Sequence, residues 1–239
     1  MARTRTLAQL RTESLQLADM ENVSLFVDTS LAGEVDTYIN QGISELWDLL
    51  IAAGGHEWYM SSNDITTDAV SDGIFAMPTD FYLLKGVDLV DGDEVYRLLP
   101  YGWRERNDDR YVGALEIVQQ GRPRRYRCSG AVSATSGAYT PVITLTPEPD
   151  GEYTVRVWYY PHAPVLNADA DVWDGFNGWE EFVTVFAAIK LRNKEESDAS
   201  DLLLRKQELT ARIEGLASQR DSGESDKIFI ADTFDDGWW

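Results

Sequence analysis

The chain has 239 residues, of which 44% are hydrophobic and 11% aromatic. That suffices for one large domain or two small ones with a true core, and it excludes global disorder. The 41 Asp and Glu against 21 Lys and Arg leave a formal net charge of −20, which excludes a protein that binds nucleic acid over its general surface. One cysteine, Cys128, excludes an internal disulfide framework and suits a reducing cytosol. No apolar run is long enough to span a bilayer, and the basic start Met1–Thr6 is not followed by the apolar stretch of a secretory signal.

The first helix is expected from about Thr6 to Met20, with Leu7, Leu10, Leu15 and Leu17 as its apolar positions. Asp28, Thr29 and Ser30 offer capping side chains for a second helix. Behind them Val35, Ile39, Ile43, Leu46 and Leu50 recur at three and four residues, which is one helical face. Gly54 and Gly55 can end that helix in the left-handed conformation.

From His56 to about Pro164 the apolar period changes to two. Phe81, Leu83, Val87 and Leu89 alternate, and Asp91-Gly92 can turn the chain into Val95–Leu98, a first hairpin. A second is expected from Leu115–Gln120, through Gly121-Arg122-Pro123, to Arg125-Tyr126-Arg127. A third runs from Val142–Leu145, through Pro149-Asp150-Gly151, to a strand whose one face is Tyr153, Val155, Val157 and Tyr159. Tyr101–Glu105, between the first two, reads as a short helix or an exposed loop. Three hairpins in this stretch predict a small antiparallel barrel or sandwich.

Pro161 and Pro164 close the β region, and Asn167–Asp174 reads as loop. A helix is expected from about Gly178 to Glu196, with Phe182, Val185, Phe186 and Ile189 as its stripe. Ser197-Asp198 breaks it and helps cap a last helix that buries Leu202, Leu209, Ile213 and Leu216 and ends near Arg220. The expected fold class is α+β. Both ends of the chain form an antiparallel helical bundle (residues 1–55 and 165–220), with a β module inserted at residues 56–164 and an extended interaction tail at residues 221–239.

No catalytic signature is present. The only histidines are His56 and His162, and there is no C-x-x-C, H-E-x-x-H, phosphate-cradling glycine loop or G-x-S-x-G elbow. Asp169, Asp171 and Asp174 cluster before a helix, but they lack the glycine and distal glutamate of a calcium loop. His162, between Pro161 and Pro164, reads as structural. The expectation is therefore no enzyme, no metal and no cofactor.

Two features point to partners. The acidic tail carries Ile228, Phe229, Ile230, Phe234, Trp238 and Trp239, an unusual load for a merely solvated segment. Such a strip suits docking into a groove on a partner or neighbouring subunit, the alternative being a tail folded onto its own core. Arginines also crowd one stretch of the middle region, including Arg97. With acidic residues in such excess, salt bridging within the chain or to a neighbour is preferred over a nucleic-acid site. This makes Arg104, Arg106, Arg110, Arg122, Arg124, Arg125 and Arg127 a candidate inter-subunit basic patch.

The opening Met1–Glu13, Ala18–Asn22, Tyr38–Leu50, Tyr159–Leu166, Gly178–Phe182 and Ala187–Lys190 together resemble head-to-tail adaptor (connector) proteins of tailed bacteriophages. The resemblance implies a helical bundle with a β module, assembled as a ring, usually twelvefold, below the portal protein. It implies attachment of tail or nozzle proteins underneath and transient, non-specific passage of double-stranded DNA through the lumen. It also implies no membrane, a place in the virion neck and assembly in the host cytoplasm. An acidic ring would repel the phosphate backbone and let DNA slide. Two other readings stand beside it. One is a carbohydrate-binding or carbohydrate-cleaving module, suggested by eight tryptophans and many carboxylates. The other is a different neck or tail-completion protein of the same virion.

Overall fold

The computed structural model describes residues 4–20, 29–53, 59–70, 72–105, 120–132, 139–174 and 178–217. The fold is α+β, and contacts divide the chain into two units. Met1–Trp58 and Pro164–Trp239 make one, and Tyr59–Ala163 the other.

In the first unit a short strand, β1 (Thr4–Thr6), leads into helix α1 (Leu7–Leu17). Thr6 starts the helix with a capping box. Its hydroxyl accepts the Gln9 N–H at 3.2 Å, and the Gln9 side-chain oxygen accepts the Thr6 N–H at 3.0 Å. The helix ends at Leu17, short of the expected Met20. Asp19 turns left-handed at φ 62°, and the N–H groups of Asp19 and Met20 return to the carbonyls of Gln16 and Leu15. This 6→1 and 5→2 pairing is a Schellman motif, which satisfies the last carbonyls. Leu7 and Leu10 are buried as expected, whereas Leu17 is exposed.

Helix α2 (Thr29–Ala52) buries Val35, Ile39, Ile43, Leu46 and Leu50, the face that the periodicity specifies. Its expected caps, Asp28 and the Gly54-Gly55 pair, lie outside the described residues. Helix α3 (Glu180–Lys194) is buried on nearly all sides and packs against α1, α2 and the last helix, α4 (Ser200–Ala217). A second Schellman motif stops α3. Glu196 is left-handed at φ 57°, and Glu196 and Ser197 donate to Asn193 and Arg192. Asp198 then accepts the Ser200 N–H at 3.0 Å and helps start α4. Along α4 Leu202, Leu209 and Ile213 are buried. The fourth buried position is Ala217, while Leu216 is 44% exposed, because i+4 from Ile213 faces the bundle and i+3 does not.

The stretch expected as loop contains another strand, β10 (Val172–Asp174), which pairs antiparallel with β1. Its pairing extends into α1, since the Leu7 N–H donates to the Asp171 carbonyl at 3.0 Å.

The second unit holds β2 (Ser61–Thr66), β3 (Ile74–Ala76), β4 (Phe81–Asp91), β5 (Glu94–Arg97), β6 (Leu99–Pro100), β7 (Arg125–Val132), β8 (Tyr139–Thr146) and β9 (Thr154–Pro161). One sheet has the order β2-β9-β4-β5 and the other β3-β8-β7-β6. All pairs are antiparallel except β6 with β7. Val87, Leu89, Val155 and Val157 from the first sheet share one core with Phe75, Ile143 and Leu145 from the second. The expected barrel or sandwich is therefore a sandwich.

The β4–β5 hairpin forms as expected, with Gly92 at φ 63° in its two-residue turn, where a side chain would be strained. The third does not form, and residues 115–119 of the second lie outside the described residues. At Arg125 and Tyr126 the neighbours of β7 are β6 and β8. Gln120 bridges Glu148. The pair β8 and β9 lies in different sheets. Both edges of β8 belong to β3 and β7, and both edges of β9 to β2 and β4. The Pro149-Asp150-Gly151 turn is a corner between sheets, and Ile143 and Leu145 meet Val155 and Val157 across the core instead of alongside.

Two glycines test the helical packing in opposite directions. A Cβ on Gly42 would sit 3.2 Å from Phe186 and 3.4 Å from the Val183 backbone, whereas one on Gly215 meets nothing within 4 Å. Gly42→Leu should destabilise by about 1–3 kcal/mol or more through overpacking of α2 on α3. Gly215→Ala should stabilise by about 1 kcal/mol through helix propensity alone. Denaturant melts of both variants check the pair.

Candidate functional site

The arginine-rich stretch converges at one end of the second sheet. Gly121 donates to the Glu148 carbonyl at 2.8 Å and Arg124 to the Thr146 carbonyl at 3.0 Å, which pins the segment before β7 against the end of β8. Arg125 and Arg127 then share one face of β7, while Tyr126 points the other way into the core. Burial raises the Tyr126 hydroxyl above its ordinary range, so it stays neutral.

Arg122 is 3.5 Å from Asp91, and Arg125 is 3.9 Å from Glu105, with all four side chains at least one-third exposed. Such long, wet pairs contribute little. Arg122 lies over the Tyr96 ring at 3.8 Å and Arg127 over the Trp103 ring at 4.3 Å. Buried Nη atoms of Arg122 and Arg127 have no hydrogen-bond partner. Arg124 is exposed, and Arg104 is exposed on the 3₁₀ turn Trp103–Glu105. Arg106 and Arg110 lie outside the described residues. Arg122, Arg124 and Arg125 line a cavity of about 540 Å³ with Leu99 and Pro147. The arrangement can hold an anion beside an apolar group.

The tail residues Ile228, Phe229, Ile230, Phe234, Trp238 and Trp239 lie outside the described residues, as do His56 and the 115–119 part of the second expected hairpin. The remaining candidates are structural. His162 donates its backbone N–H to the Asp80 carbonyl at 2.9 Å. Cys128 is half-buried, and desolvation raises its thiol above the ordinary range, which makes it a poor nucleophile.

Among the described residues no group of three or more His, Cys, Asp or Glu is placed to hold a metal ion. Asp171 accepts the N–H groups of Asn167 and Ala168 at 2.7 and 2.8 Å. Asp169 accepts from Arg11 at 2.9 Å, and Arg11 also makes a two-pronged pair with Asp36. Periodicity missed this Arg11 network because it joins residues far apart in sequence.

A family model described as SU10 adaptor protein matches residues 5–226. The chain belongs to this adaptor family. It is a structural head-to-tail adaptor of a tailed-phage virion, not an enzyme, and this membership decides against the carbohydrate module. The matched span includes both helical ends, the β sandwich and the arginine-lined cavity, and it stops before Ile228. No curated protein matches the chain.

The Asp171 turn makes the adaptor acid-sensitive in a defined direction. The backbone N–H groups of Ala168 and Asn167 hold the carboxyl below its ordinary range. A depressed carboxyl contributes stability above its unfolded pKa of about 4 and loses it as pH falls through the lower folded value. Asp171→Asn should therefore melt below the parent at neutral pH. The gap between the two proteins should close on acidification below about pH 4. Thermal melts across that range check it.

Proposed function

We propose that this adaptor assembles as a ring, with twelve copies the expected number, beneath the portal of the virion. Its lumen passes double-stranded DNA without gripping it, and its lower face docks tail or nozzle proteins. Its place is the neck of the particle, and it is assembled in the host cytoplasm. The observation that carries the reading is the family match over residues 5–226. The net charge of −20 supports a non-adhesive DNA passage, because a predominantly acidic subunit repels the phosphate backbone.

In this reading residues 221–239 are an interaction tail, and the arginine patch of the β sandwich is a subunit contact. The tail's large apolar side chains support the first assignment, since buried aromatics dominate many interfaces. The arginine-lined, partly apolar cavity supports the second.

Native mass spectrometry and electron microscopy of the chain mixed with its portal test the ring. Closed rings on the portal are expected, and a chain that stays monomeric on a saturating amount of portal ends the assignment. Removing residues 221–239 should leave the melting of the remainder unchanged and weaken assembly, by about 2 kcal/mol for each buried aromatic anchor. Loss of folding on truncation would place the tail in the chain's own core instead.

A further inference from the structure

The cavity beside β7 has a definite chemical character. Arg122, Arg124 and Arg125 supply positive charge, and Leu99 and Pro147 supply apolar wall. Leu99 is 56% exposed, a large apolar side chain left uncovered at the cavity. The buried Nη2 atom of Arg122 makes no hydrogen bond, its ion pair with Asp91 being long at 3.5 Å, and Arg124 is exposed. A buried donor without a hydrogen bond is costly, so a ligand carboxylate that reaches it is favoured.

The volume of about 540 Å³ takes one or two large side chains. It is too small to take a duplex. The ligand is therefore a short segment that alternates carboxylates with aromatic or aliphatic groups. This chain carries one. Residues 221–239 hold Asp221, Glu224, Asp226, Asp232, Asp235 and Asp236 against the single basic Lys227. Interleaved with them are Ile228, Phe229, Ile230, Phe234, Trp238 and Trp239.

We propose that the arginine-lined cavity of each copy receives the acidic, aromatic segment 221–239 of a neighbouring copy. The carboxylates pair with Arg122, Arg124 and Arg125, and an aromatic ring covers Leu99 and Pro147. The proposal rests on the ring reading, because adjacent subunits hold each other's segments at high effective concentration.

Site-specific cross-linking on the full chain tests it. A photo-reactive benzoylphenylalanine replaces Trp238, and isotopically heavy and light chains are mixed, assembled on portal and irradiated. The expected product joins a heavy to a light chain at residues within 120–127 or at Leu99. Products confined to a single chain, or mapping elsewhere, overturn the proposal. Arg122→Glu/Arg124→Glu should reduce the product by about tenfold or more. Asp235→Lys/Asp236→Lys should do the same, and combining the two pairs should restore it. Failure of the tail pair alone to reduce the product overturns the charge pairing even if the cavity pair misfolds. A short DNA duplex serves as competitor, and its displacement of the cross-link at the cavity would assign the arginines to phosphate instead. Native mass of the same sample reads the ring separately. Rings whose tails cross-link elsewhere end this proposal and leave the adaptor assembly intact. Cavity cross-links without rings end the ring reading alone.

Discussion

The helical unit depends on covering α3. Phe182, Val183, Val185, Ala187, Ala188, Ile189 and Leu191 are all buried, and together they go around the helix instead of forming one stripe. A helix apolar on so many sides is stable only if other elements surround it. Its neighbours are α1 and α2 from the beginning of the chain and α4 from the end. The two ends must therefore meet in space, and whatever lies between them in sequence becomes an insertion. Gly42 is a local consequence, since α2 approaches α3 closely enough that a Cβ would press on Val183 and Phe186.

Polar contacts fix how those ends meet. Hydrophobic burial is non-directional and sets no register by itself. Register comes from the β1–β10 pairing and from Arg11, which reaches both Asp36 on α2 and Asp169 before β10. Asn40 adds a reciprocal pair, donating to the Leu166 carbonyl at 3.0 Å and accepting its N–H at 2.9 Å. The β1–β10, Arg11–Asp169 and Asn40–Leu166 contacts join residues close to the start of the chain with residues just after the β unit. Both sides of the insertion are thereby clamped.

The β unit places its specialised chemistry where pairing ends. Its interior is an ordinary sandwich core of Val, Ile, Leu and Phe. Near the end of β8 the chain carries Pro147 and Pro149, which cannot donate to a ladder, and crosses from one sheet to the other. The arginines gather at that corner, against Leu99 and Pro147. Paired strands thus hold a cationic, partly apolar cavity where the ladder ends, an arrangement that suits recognition more than stability.

The sequence by itself determined which segments are helical, which side of α2 and β9 is buried, and that the chain lacks a catalytic signature. Its motifs also sufficed for the adaptor family. These are local properties, because a repeat of 3.6 or 2 residues specifies a face without reference to the rest of the chain. Only the tertiary structure decided which strands are neighbours. The alternation in Val142–Leu145 and Tyr153–Tyr159 is the same whether the two strands lie side by side or face each other across a core, and a turn signal between them does not choose. The strand Val172–Asp174 was illegible for a related reason, since its pairing partner, Thr4–Thr6, lies at the far end of the chain. Likewise the crowding of arginines was visible in the sequence, but the cavity was not. It exists because Leu99, Arg122 and Pro147, from three separate segments, are brought together by sheet pairing that no local pattern encodes.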